Sequence, residues 1–212
     1  MIPIAFHPIF KHPLPEGHRF PMLKYELLPQ QLLLEGIAEE RDFFAPELAD
    51  LPYILAVHDK AYVDDLLQLT LDAKAARKIG FPLSAALVER ELRIANGTIL
   101  GCEKAFTTEV AFNIAGGTHH AFTNRGEAFC LLNDQAIAAK YLLVQKRASK
   151  ILIIDLDVHQ GNGTAEIFQN NAKVFTFSVH GKTNYPFKKE VSDLDIALPD
   201  GTLDEAYLAI LN

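Results

Sequence analysis

The sequence predicts an α/β protein built on parallel strands, and three observations predict it. Ile151-Leu152-Ile153-Ile154 is an unbroken apolar run, as in a parallel strand covered on both faces. Strand-like runs alternate with helical patterns along the chain. Polar clusters follow two of the strand runs directly, and in such sheets ligands gather beyond the strands' carboxyl ends.

Taken in order, residues 2–6 read as a short first strand. Residues 7–21, rich in Pro, His and Gly, read as an irregular loop. Residues 22–34 have a helical pattern despite Pro29, and residues 61–71 give a second helix. Residues 84–106 give a long one, with Leu87, Leu92, Ile94, Ile99 and Leu100 apolar and Gly97 weakening its middle. Residues 110–114 read as a buried strand that ends in the turn Ala115-Gly116-Gly117. Residues 128–144 read as a helix with a wide apolar face. Beyond the apolar run lie a short helix (163–169), a strand (174–179) and a last helix from Asp204, with Asp204 and Glu205 suited to its first turn.

The chain has 212 residues, 20 Lys and Arg against 27 Asp and Glu, and a formal net charge of −7. That length suits one domain over residues 1–212. A hydrophobic content of 49% excludes a disordered chain. The acidic balance argues against binding nucleic acid or an anionic membrane. Cys102 and Cys130 cannot make a disulfide framework, which favours a reducing, cytoplasmic setting. The N-terminus carries no signal-peptide pattern, and no apolar run approaches the ~18 residues of a membrane helix.

Two clusters carry chemistry. In I-L-I-I-D-L-D-V-H-Q-G-N-G the apolar run leads into Asp155, Asp157 and His159 at a spacing of two. On an extended strand that spacing puts all three on one face, and two carboxylates with an imidazole suit a divalent metal. The bland alternative is that the carboxylates cap loops and His159 is surface. In N-I-A-G-G-T-H-H a Gly pair lets the backbone turn tightly before His119 and His120. Paired imidazoles allow one neutral base and one charged donor if their partners differ.

These blocks, together with G-E-A-F-C-L-L-N-D at residues 126–134, resemble the histone deacetylase family, which includes acetoin-utilisation proteins and acetylpolyamine amidohydrolases. Q-G-N-G, the opening F-H-P-I-F-K-H-P-L-P-E-G-H-R-F-P and L-A-V-H-D-K-A-Y-V around His58 are most similar to its class IV branch and bacterial relatives. The resemblance implies a three-layer parallel sheet of the arginase/deacetylase type, here the N-terminal portion without the C-terminal strands. It implies zinc on Asp157 and His159, with His119 oriented by Asp155 and His120 by Asn162. Many members carry Asp in place of Asn162, so His120 should be less basic here. It further implies a structural potassium site at Asp155, Asp157, His159, Ser178 and Val179. An acyl-lysine channel would run between Phe129 and Tyr185, narrowed where Ala128 replaces a common Gly. The substrate would be an acyl-lysine protein or a small acylated amine. The third zinc aspartate and the oxyanion tyrosine would fall beyond Asn212, so weak zinc binding, poor catalysis and self-association through an exposed sheet edge are expected.

Bland readings accompany the remaining candidates. Phe129 and Tyr185 could be core or rim aromatics, and Cys130 a small buried residue. His7, His12 and His18 read as loop or rim. Glu190, Asp204 and Glu205 follow no apolar strand run, and Asp193, Asp195 and Asp200 read as a solvated polar loop. Two rival readings stand beside the deacylase: a binuclear manganese hydrolase, which needs a carboxylate where Gly161 stands, and a non-catalytic protein or fragment of the same fold.

Overall fold

The computed structural model describes residues 2–211. Its strands are β1 (Ile4–Ala5), β2 (Phe43–Phe44), β3 (Phe112–Asn113), β4 (Ile151–Asp155), β5 (Val174–Gly181) and β6 (Leu194–Leu198). All pairings are parallel, in the orders β2-β1-β3 and β4-β5-β6. The expected parallel α/β architecture is present, with the hydrogen-bonded strands falling into two three-stranded sheets rather than one. The helices are α1 (Lys24–Leu34), α2 (Leu51–Leu55), α3 (Lys60–Gln68), α4 (Ala73–Ile79), α5 (Ala85–Thr108), α6 (Asp134–Val144), α7 (Asn162–Phe168) and α8 (Asp204–Leu211). Among the described residues no helix is long and apolar enough to cross a membrane.

Helix α5 organises the core. Ser84 caps it by accepting from the Leu87 N–H, and Leu87, Ile94 and Ile99 are buried. It packs on α6, whose Ala136 to Ala139 turn is buried, and on β1 and β3. Gly97 proves to be a packing residue rather than a weak point. A Cβ there would stand 3.1 Å from the Ala5 Cβ and 2.9 Å from Asn113 Nδ2, so its bare backbone admits the first sheet.

Several expectations need correction. The helix expected over 128–144 begins only at Asp134, capped by Asn133. The preceding Ala128 and Phe129 have φ of +44° and +70° because their N–H groups donate to Lys78 O and Ile79 O at the end of α4. The strand expected to be buried over 110–114 is only Phe112–Asn113, with Phe112 54% exposed at a sheet edge. The apolar run 151–154 is a parallel strand, but one face is open: Leu152 and Ile154 are more than half exposed. The helix expected over 61–71 stops at Gln68, where Leu69 turns left-handed. The loop 7–21 holds a short 3-10 turn at Pro8–Phe10, and His12 is buried rather than at a rim.

The segment read as a solvated acidic loop contains β6. Asp193 accepts from the Thr176 N–H and hydroxyl, and Asp195 accepts from Gln160 Nε2 at 2.8 Å and from the Ser192 N–H. Leu194, Ile196 and Leu198 alternate with Asp195 and Ala197, a strand signal that sequence reading missed.

Candidate active site

The two chemistry-bearing segments meet in a cavity of about 860 Å³ lined by His119, His120, Asp155, Asp157, His159, Phe129 and Tyr185. Buried Asp134, at the start of α6, builds the turn that delivers the histidines. It accepts from the Gly117 and Thr118 N–H groups and from both the Thr98 and Thr118 hydroxyls. Gly117 supplies the φ of +87° that this turn requires. Asn133, fully buried, adds a brace by donating to Ala121 O and Thr164 Oγ1. Sequence reading quoted this N-D pair and gave it no role.

The imidazoles of His119 and His120 are buried, with ring centroids 4.0 Å apart. Their partners differ. His119 Nδ1 lies 2.5 Å from Asp155 Oδ2, and His120 Nδ1 donates to Asn162 Oδ1 at 2.7 Å. Burial works to lower the His119 pKa, but the hydrogen bond and charge of Asp155 outweigh it and raise the value. For His120, burial and the neighbouring His119 charge push the pKa down to about 4, outweighing the Asn162 hydrogen bond and the more distant Asp157 charge that oppose them. The pair therefore holds one imidazole biased towards its charged form and one neutral at physiological pH.

Asp157 and His159 reach the same cavity by a different route from the one the spacing suggested. β4 ends at Asp155, and the next two residues of the cluster lie in bends. Each carboxylate caps the amide two residues on: Asp155 Oδ1 accepts from the Asp157 N–H and Asp157 Oδ1 from the His159 N–H. The loop-capping alternative is thus also true of these carboxylates. Asp157 Oδ1 and His159 Nδ1 stand 3.0 Å apart, both half exposed. Burial works to raise the Asp157 pKa, but the His159 N–H and the nearby imidazoles hold it below the usual range. A carboxylate oxygen and an imidazole nitrogen facing one another are two donors of the kind a catalytic zinc takes from a protein, which usually supplies three. Among the described residues no group of three or more His, Cys, Asp and Glu side chains is placed to hold a metal.

The remaining candidates are placed as follows. Asn162 opens α7. Ser178 pairs in register with Asp155, and Val179 follows it, both buried in β5. Phe129 packs against Phe20 and Phe81, while Tyr185 stands edge-on to His120 at 5.1 Å and donates to Glu127 Oε2. Burial and the Glu127 carboxylate push the Tyr185 pKa up to about 12. Cys130 is buried, its thiol pKa driven up by desolvation. Of the loop histidines, His18 bonds Gly80 O and packs on Phe81 and Phe129, whereas His7 caps the Pro8–Phe10 turn. Gly161 leaves no space for the carboxylate of a binuclear site, since even a Cβ there would collide with Asp155 Oδ2. Gln160, quoted in Q-G-N-G but given no role of its own, is fully buried and pins β6 through Asp195 and the segment before it through Glu190.

A parallel α/β fold with paired histidines against an Asp-x-Asp-x-His segment defines a class of hydrolase-like proteins, and comparison gives the family. The histone deacetylase domain profile matches residues 18–212, and the chain belongs to that family. It is 48% identical over 209 residues to an uncharacterized protein of Picosynechococcus sp., covering 99% of this chain and 70% of that one. It is 33% identical over 234 residues to a probable deacetylase of Archaeoglobus fulgidus, covering 99% of this chain and 62% of that protein. The crystal structure of an HDAC homolog from Aquifex aeolicus superposes with a TM-score of 0.84 at 26% identity, covering 99% of this chain and 62% of that one. The chain thus spans less than two thirds of the second and third of these proteins.

Proposed function

We propose that this chain carries the histidine pair and two metal ligands of a zinc-dependent amidohydrolase site that acts on an acylated amine of the acyl-lysine type. Family membership supports the deacetylase chemistry. The unequal pairing of His119 with Asp155 and of His120 with Asn162 is the observation that carries the assignment of roles.

Asp157 and His159 would hold the metal, which when bound supplies an electrophile for the amide carbonyl and acidifies water. His120 is neutral at working pH, and with Nδ1 donating to Asn162 its Nε2 is free to accept a proton. His119, biased towards its charged form, can give a proton to the departing amine. Phe129 and Tyr185 would flank the aliphatic stem and exclude water. Backbone oxygens around Asp155, Asp157, His159, Ser178 and Val179 are the proposed potassium site. The whole chain over 1–212 acts in this reading as one domain, in the cytoplasm.

A second reading, a binding protein or incomplete enzyme of the same fold, is favoured by the two-ligand donor set. Zinc titration by calorimetry combined with hydrolysis of acetyl-lysine peptides separates the two. Asp157→Ala and His159→Ala should each weaken zinc binding by orders of magnitude. His120→Ala should leave zinc affinity intact and abolish turnover. Unchanged zinc binding in Asp157→Ala would remove the metal assignment, and lost zinc binding in His120→Ala would make that residue a ligand instead of a base.

A further inference from the structure

The cavity is lined by two carboxylates, Asp155 and Asp157, and also by three cations. The protein carries a net −7, yet Arg19, Lys24 and Lys78 all line the cavity that holds the histidine pair. Lys78 lies 3.6 Å from Glu127 and is matched by it. Arg19 and Lys24 are not in ion pairs among the described residues and rest instead on aromatic rings. The Arg19 guanidinium is 5.2 Å from the centroid of Phe129, and Lys24 Nζ is 5.1 Å from Phe20 and 5.0 Å from Tyr25. Phe20 and Phe129 are themselves in contact, with centroids 4.9 Å apart, so the two cations sit on one aromatic cluster that includes a channel wall.

A cation on an aromatic face is held in place without being neutralised, because the ring offers a quadrupole and no net charge. Its field remains available to whatever enters, and a cleft with low-dielectric walls focuses that field. Burial and the charge of Arg90 hold the Lys24 pKa below its usual value, against the Asp157 carboxylate, whose charge works to raise it. Both long side chains are pre-positioned, which reduces the entropy lost on pairing.

The geometry points to a substrate that carries a carboxylate close to its acylated amine, received by Arg19 and Lys24. This inference rests on the amidohydrolase reading of the site and narrows its substrate class. Two sources share that chemistry: an acidic residue beside the acyl-lysine, or a free carboxylate on the acyl group itself. A substrate with additional amines, such as a polyamine, would meet repulsion instead.

Binding of fluorescent peptides, followed by anisotropy at low salt, tests this. Acetyl-lysine is presented between glutamates, between alanines and between lysines, and succinyl-lysine between alanines. An unmodified lysine between alanines is the control. The wild-type protein should bind the glutamate-flanked or the succinyl peptide about tenfold more tightly than the alanine-flanked acetyl peptide, equivalent to about 1.4 kcal/mol. Which of the two gains shows where the carboxylate lies. Arg19→Gln combined with Lys24→Gln should erase the ratio. Arg19→Glu with Lys24→Glu should invert it in favour of lysine flanks. Equal binding of all acylated peptides, or a ratio that survives the double glutamine variant, overturns the inference alone. Unmodified lysine binding as well as acetyl-lysine, or no peptide binding, overturns the amidohydrolase reading and this inference with it.

Discussion

Replacing His58 should show how the catalytic segment is anchored. Its imidazole is 2% exposed, Nδ1 donates to Phe122 O at 2.9 Å, and Nε2 accepts from the Asn133 N–H at 3.0 Å. One ring thereby ties the chain just after the histidine pair to the cap of α6. His58→Leu fills most of the space but orphans one buried carbonyl and one buried N–H, each costing about 1–3 kcal/mol. The expected loss is about 4 kcal/mol, a large share of the ~5–15 kcal/mol that stabilises a typical domain. Burial also pushes the His58 pKa from 6.5 down to about 4. Below pH 6.5 the unfolded chain therefore takes up a proton that the folded chain refuses. The contribution of His58 is complete above pH 6.5 and is lost progressively towards pH 4, amounting to about 2 kcal/mol by pH 5. His58→Gln keeps a donor and an acceptor but does not titrate, so it should lose less stability and flatten the pH dependence. A slope should remain, because the pKa values of His120, His7, His12 and His180 are also depressed. Urea unfolding followed by circular dichroism at pH 7.5 and pH 5 measures both quantities. A loss below about 1 kcal/mol in His58→Leu, or an unchanged pH slope in His58→Gln, would refute the anchoring argument.

Asn162→Asp should raise the pKa of its partner imidazole, because a carboxylate then opposes the burial that depresses it; an NMR titration in which His120 fails to move upward contradicts the pairing. Gly97→Ala should destabilise by about 1–2 kcal/mol despite the better helix propensity of alanine, since its Cβ crowds Ala5 and the Asn113 amide; thermal melts showing a gain would mean that the first sheet yields easily. The open face of Leu152, Ile154 and Phe175 should drive concentration-dependent association, and Leu152→Thr with Ile154→Thr should suppress it in sedimentation velocity.

Parts of this molecule were legible from residue order, and parts were not, for identifiable reasons. α5 could be read because a long periodic pattern and a serine cap are local signals. The pairing of Asp155 with His119 and of Asn162 with His120 matches what the family resemblance implied. The helix start at Asp134 could not be read. Residues 128–132 are helix-compatible in composition, and only the carbonyls at the end of α4 pull Ala128 and Phe129 into the left-handed region. Asp193 and Asp195 looked solvated because their partners, Thr176 and Gln160, lie well before them in sequence. The one-face argument for Asp157 and His159 named residues that do share a cavity, through turns rather than an extended strand.

The two sheets also differ in how far apart along the chain their partners lie, which bears on the order in which they can assemble. In the second sheet Ile151 meets Val174 and Phe177 meets Leu194, each across one short crossover. In the first sheet Ile4 must find Phe43 on one side and Phe112 on the other, across most of the helical region. Closing the longer loops costs more chain entropy before any contact offsets it, and folding slows as partner separation grows. The β4-β5-β6 unit, which presents Asp155, can therefore consolidate while β1 is still searching. The turn bearing His119 and His120 follows β3, the last partner that β1 must meet. The imidazoles and the carboxylate that orients one of them thus belong to units with very different loop lengths to close, and the His119–Asp155 contact joins the two.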